Sequence, residues 1–220
     1  MKGSEKMIII EKINHLIINF FRKNYRKIKR KGLNNIDITI LCNNCVGGII
    51  YHDMGLRFLS PTINLFFSEE DFLTFVEHLT DFKDAELVEV YDENYDYPIG
   101  KLISNKADIS VRINFRHYKS FDEARDKWFE RSARIDYDNV YVIFERPQLS
   151  ADSLKRFYAL DYKHKVLVTS KETVKSSNAQ TAVLDVYDNN YYPGKVLEYP
   201  TTHSIKRYLD SFDYIKFLNS

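Results

Sequence analysis

Ile36-Asp37-Ile38-Thr39-Ile40-Leu41-Cys42-Asn43-Asn44-Cys45-Val46-Gly47-Gly48-Ile49-Ile50-Tyr51 reads as a strand, a tight turn and a helix. The apolar run Ile36 to Leu41 has the length and β-branched content of a strand. The amide and glycine residues that follow break it. The segment Ile49 to Met54 then has the look of a helix. Such a turn presents backbone N–H groups at a helix N-terminus, where the dipole favours anions. Two of the seven glycines of the chain, Gly47 and Gly48, sit there. Paired glycines permit a tight turn or a close approach to a ligand. The same residues also suit a plain strand-to-helix corner with an amide cap.

Outward from this corner, strands and helices alternate. Ser68, followed by Glu69, Glu70 and Asp71, reads as a helix start, with Phe72, Phe75, Val76 and Leu79 on one face. Residues 86–91 and 97–103 read as strands, and Val111-Arg112-Ile113-Asn114-Phe115 alternates as a half-buried strand does. Ser120 caps a helix carrying Phe121, Ala124, Trp128 and Ile135 inward. Buried strands are expected at 139–145 and 165–169, and helices at 151–160 and 203–218. This order predicts an α/β fold: three layers, with a largely parallel or mixed central sheet flanked by helices.

Ahead of this body, residues 8–31 predict a basic amphipathic helix. Ile8, Ile9, Ile13, Leu16, Ile17, Phe20, Phe21 and Ile28 recur at helical spacing. Residues 1–31 hold ten cations against two carboxylates, a balance of +8 in a chain of net charge +1, so the remainder is about −7. We therefore divide the chain into a basic helix, 1–31, and a single α/β domain, 32–220. The helix suits an anionic membrane surface, or packing on the domain with its basic end solvated. No nucleic-acid recognition motif accompanies it.

At 220 residues, with 16 Tyr, 15 Phe and balanced charge, the chain can bury a sizeable core. Two cysteines make no disulfide framework and no zinc-like spacing, so neither metal nor cofactor is expected. No secretory signal and no run of the roughly 18–20 apolar residues of a membrane span is visible. The expected location is cytoplasmic, with the inner membrane face as a possible peripheral site. Asp136-Tyr137-Asp138 has an Asp-x-Asp form but follows a helix and reads as a turn.

Three ordered blocks carry a family resemblance. They are Asn43-Asn44-Cys45-Val46-Gly47-Gly48 with Tyr51; Gly55-Leu56-Arg57-Phe58-Leu59-Ser60-Pro61-Thr62 with Phe66 and Asp71-Phe72; and His117-Tyr118-Lys119-Ser120 with Glu123-Ala124, Lys127-Trp128, Arg131, Arg134-Ile135 and Asp138-Asn139. The chain resembles, over roughly residues 34–170, uncharacterised bacterial proteins associated with exopolysaccharide or capsule biosynthesis, domain of unknown function 1919. Cys42 departs from that pattern, which often has serine there. The resemblance implies an α/β fold and a role in making or decorating surface polysaccharide, not an established reaction.

Two function classes follow. One is a transferase moving an acyl or glycosyl group from an activated donor to a glycan acceptor. Cys45 is then the candidate nucleophile, since a helix N-terminus favours a thiolate, and His117 its candidate base. Asn43, Asn44, Gly47, Gly48, Ser60 and Lys119 are candidate substrate contacts. The other class is a non-catalytic accessory or binding protein of a polysaccharide assembly complex. Cys45 is equally suited to packing the turn, and Asn43 and Asn44 to satisfying its backbone.

Overall fold

A computed structural model of the chain describes residues 2–220, with side chains described from residue 14 on, residue 15 excepted. The expectations for Ile8, Ile9 and Ile13 lie outside the described side chains.

Two sheets form. The first is parallel, in the order β1 (Thr39–Cys42), β5 (Val140–Glu145), β6 (His164–Thr169), β7 (Thr181–Val183). The second is antiparallel: β2 (Glu86–Glu89), β3 (Ile99–Ile103), β4 (Ser110–Asn114). The architecture is α/β as expected, but the hairpin strands make a sheet of their own rather than joining the central one. Strand β7 was not expected.

Among the described residues six α-helices accompany these sheets: α1 (Lys2–Lys31), α2 (Val46–Met54), α3 (Glu69–Glu77), α4 (Phe121–Ser132), α5 (Ala151–Ala159) and α6 (Tyr214–Leu218). Ser68 and Ser120 cap α3 and α4 as their sequences imply, each accepting the backbone N–H three residues on. Ile135 lies beyond the end of α4, half-buried in the following loop. The expected 203–218 helix is instead a short 3-10 turn, Tyr208–Ser211, and α6. Asp210 accepts the Arg207 backbone N–H and Asp213 accepts that of Lys216. These local bonds start two short turns where periodicity implied one helix.

Side chains of the parallel sheet alternate between two cores. Leu41, Val140, Val142, Phe144 and Leu167 face one that includes the antiparallel sheet, α3, Trp128 of α4 and Phe157 of α5. Ile40, Cys42, Tyr141, Ile143, Val166 and Val168 face the other, with α2, α6 and the segment around Val196 and Leu209. The central sheet is thereby covered on both faces, and its strand ends are what remain for chemistry.

Helix α1 docks in an unexpected sense. Its cations turn toward the domain: Arg26 pairs with Asp53 at 3.6 Å and Lys29 with Asp210 at 2.7 Å. Arg30 Nε donates to the Asp53 carbonyl, and Arg22 Nε to that of Ser204. The apolar residues Leu16, Ile17, Phe20, Phe21 and Ile28 face outward.

Candidate functional site at the carboxyl ends of β1 and β5

In an open parallel sheet, sites form beyond the carboxyl ends of strands. Here those ends are Cys42 and Glu145, whose strands pair in register with Cys42 beside Ile143. The turn after β1 brings Asn43 and Asn44 against Glu145. Asn43 Nδ2 donates to the Glu145 carbonyl at 3.0 Å, and the Glu145 N–H donates to Asn43 Oδ1 at 2.9 Å. Asn43 thus extends the β1–β5 ladder through its side chain, and both of its polar atoms are committed. Asn44 Nδ2 donates to Glu145 Oε2 at 2.5 Å, while its Oδ1 accepts the Val46 N–H at the head of α2.

Glu145 Oε1 accepts two phenol hydroxyls, Tyr187 at 2.6 Å and Tyr191 at 3.1 Å. Both tyrosines come from the coil after β7, which folds over the strand ends. Glu145 is 2 % exposed. Burial raises its carboxyl above the usual carboxylate range; the bonds from Tyr187, Asn44 and Tyr191 and the nearby Arg146 oppose this only in part. Burial and the adjacent carboxylate in turn raise both phenols. Arg146, the next residue, donates from Nη2 to the Phe67 carbonyl at 3.3 Å. Its Nε is buried without a hydrogen-bond partner among the described residues.

The thiol and imidazole expected to act together are not joined. Cys45 is the N-cap residue of α2, makes no capping bond through its side chain, and is raised above the ordinary thiol value by burial. Burial thus disfavours the thiolate form that a cysteine nucleophile needs. His117 is exposed; its backbone N–H donates to the Asn64 carbonyl, and no hydrogen bond links it to Cys45 among the described residues. The tyrosine after it, Tyr118, is buried, and its hydroxyl accepts a hydrogen bond from Arg131 Nη1 at 2.6 Å. Cys42 is fully buried and its thiol is pushed up to about 12, chiefly by desolvation.

The other expected contacts divide. Ser60 is buried, bonding Thr62 Oγ1 at 2.9 Å; Thr62 accepts the Cys42 N–H, so Ser60 braces β1 rather than facing solvent. A Cβ on Gly47 would stand 2.9 Å from Cys42 Cβ, so that glycine permits α2 to pack on β1. Gly48 has ordinary room against Ile63, and Lys119 is exposed. Of the expected residues, Asn44 alone reaches the buried carboxylate.

Glu145, Arg146, Tyr187 and Tyr191 were missed. One signal was present: an acid ending the fully apolar strand Val140–Phe144 must find partners. A groove of about 390 Å³ also exists, lined by Tyr137, Arg156, Leu160 and Tyr162 among others. It lies toward the amino ends of β5 and β6, away from this cluster. Among the described residues no group of three metal-binding side chains converges.

The model of a family described as Domain of unknown function (DUF1919) matches residues 16–219. This chain belongs to that family. The family match begins inside α1 and so takes in the docked half of that helix. A relative, an uncharacterized protein of Haemophilus influenzae (strain ATCC 51907 / DSM 11121 / KW20 / Rd), is 32 % identical over 203 residues, spanning 88 % of this chain and 89 % of its own.

Proposed function

We propose that this protein is a glycosyl-type transferase of bacterial exopolysaccharide, capsule or lipopolysaccharide biosynthesis, with Glu145 as its general base. The observation that carries the reading is a buried carboxyl, raised by desolvation, at the carboxyl end of a central parallel strand. A carboxylate raised toward neutrality is suited to accept a proton from a sugar hydroxyl. In the step we envisage, the acceptor hydroxyl gives its proton to Glu145 as its oxygen bonds the anomeric carbon of an activated sugar. The bond from that carbon to a phosphate leaving group breaks, and the phosphate departs with the electron pair. Arg146, whose Nε has no hydrogen-bond partner among the described residues, is the cation beside that position. Tyr191, half-buried on an otherwise exposed stretch, is the side chain an acceptor displaces to reach Oε1. Acyl transfer through Cys45 is disfavoured by its raised thiol.

One observation favours the accessory reading instead: three donors already occupy both oxygens of Glu145, as in a structural staple. Glu145→Gln separates the two. It keeps the side-chain shape and removes the base. In a deletion strain of the source bacterium, wild-type protein should restore surface-glycan composition. Glu145→Gln, folded and expressed at the same level, should not. Restoration by the variant would leave the accessory role standing, and a deletion that leaves the glycan unchanged would sink the polysaccharide assignment itself.

A further inference from the structure

Helix α1 is two-faced in a way the domain does not use up. At 3.6 residues per turn, Arg22, Tyr25, Arg26 and Lys29 fall on one side. This is the side that meets the domain: Arg22 lies over the Tyr199 ring at 3.6 Å and Lys29 over Tyr214 at 3.5 Å. The opposite half carries Leu16, Ile17, Phe20, Phe21 and Ile28, interleaved with Lys23, Lys27 and Lys31. Leu16 is 69 % exposed, Phe20 62 % and Ile28 68 %. All three lysines are exposed, and among the described residues the ion pairs of this helix are made by Arg26 and Lys29 instead.

An aliphatic and aromatic stripe set among lysines is the surface of an interfacial helix: apolar groups enter the acyl boundary and ammonium groups meet anionic headgroups. No helix is long and apolar enough to cross a membrane among the described residues. We propose that this face of α1 binds an anionic lipid surface in the plane of the interface and holds the domain there. Charge decides the occupant. A second copy pairing through this face would set lysine against lysine, whereas an anionic bilayer complements it. The rest of the chain is net negative, so the same surface repels the domain and leaves α1 as its contact. This inference is independent of Glu145 chemistry.

The test uses the full chain and vesicles of phosphatidylcholine alone or with about one-third phosphatidylglycerol. Co-sedimentation is expected with the anionic vesicles, weakening as salt is raised. Lys23→Gln/Lys27→Gln/Lys31→Gln should weaken it about 100-fold, at roughly five-fold per lysine near the surface. Phe20→Ser/Phe21→Ser should abolish it, with circular dichroism and thermal unfolding unchanged, because both rings are exposed. Equal binding to both vesicle types, or binding indifferent to the lysine variant, overturns the proposal. So does a dimer in solution that the Phe20→Ser/Phe21→Ser variant dissociates, since the face then belongs to a second copy.

Discussion

Asn44 reaches Glu145 across 101 residues of sequence and closes the carboxyl ends of β1 and β5 into one hydrogen-bonded unit. Its neighbour Asn43 joins the same two strands through the Glu145 backbone, fully buried. The two asparagines therefore do different jobs from adjacent positions. Asn43→Ala leaves a buried N–H and a buried carbonyl unpaired and should cost about 2–3 kcal/mol in urea unfolding. Asn44→Ala, at a half-buried position, should cost about 1 kcal/mol. It also removes a donor to the ionised form of Glu145 and so raises that carboxyl further. Equal losses for the two variants would refute this division.

The raised carboxyl of Glu145 has a consequence for stability. The folded protein keeps its proton at pH values where the unfolded chain, near the ordinary value of about 4.3, has lost it. In that window the native state binds more protons, so stability falls as pH rises. The decline runs from about 4.3 up to the raised native value and then levels off. Chemical denaturation from pH 4 to 8 should show this decline in the wild type and a shallower one in Glu145→Gln. A steeper decline in the variant would contradict the direction of the shift.

Legibility in the sequence followed the range of the interactions. The corner from β1 to α2 is written locally, as a switch from an apolar run to amides, glycines and a helical pattern, and it formed. The caps Ser68 and Ser120 are equally local. Glu145 shows its strand but not its partners, because Tyr187 and Tyr191 lie 42 and 46 residues on, in coil with no periodicity. The two-sheet division was hidden too, since a short alternating strand looks the same in either sheet. In α1 the amphipathic pattern was legible but the docked side was not. Arginine stems and guanidiniums found carbonyls, carboxylates and tyrosine rings on the domain, and the apolar side was left outside.

The adjacent glycines of the corner give opposite expectations. Gly47→Ala places a methyl 2.9 Å from Cys42 Cβ and 3.4 Å from Ile40 Cγ2, both in the core, so α2 must shift off β1. The cost should be about 1–3 kcal/mol, typical of overpacking. Gly48→Ala meets Ile63 at 3.7 Å, ordinary contact, and gains helix propensity. It should range from neutral to about 1 kcal/mol more stable. Thermal unfolding of the two variants reads this directly. Destabilisation by both would point to a backbone requirement beyond packing.

Asp53 ties α1 to the domain. It lies in the last turn of α2, nearly buried, between Arg26 at 3.6 Å and Arg207 at 3.3 Å, with His52 Nδ1 at 3.0 Å. Asp53→Ala leaves two guanidiniums facing each other with no carboxylate between them. Breaking a fully buried pair costs roughly 3–5 kcal/mol. Arg26 is a quarter exposed, so about 2 kcal/mol is expected here. The loss should be local first. Arg30 still holds the Asp53 carbonyl, but Arg26 loses its carboxylate, and α1 should open ahead of the central sheet. Limited trypsinolysis should therefore cut within residues 22–31 faster in Asp53→Ala, while the 32–220 body stays intact. Unchanged cleavage there, alongside a global loss of stability, would show that α1 and the domain open as one unit.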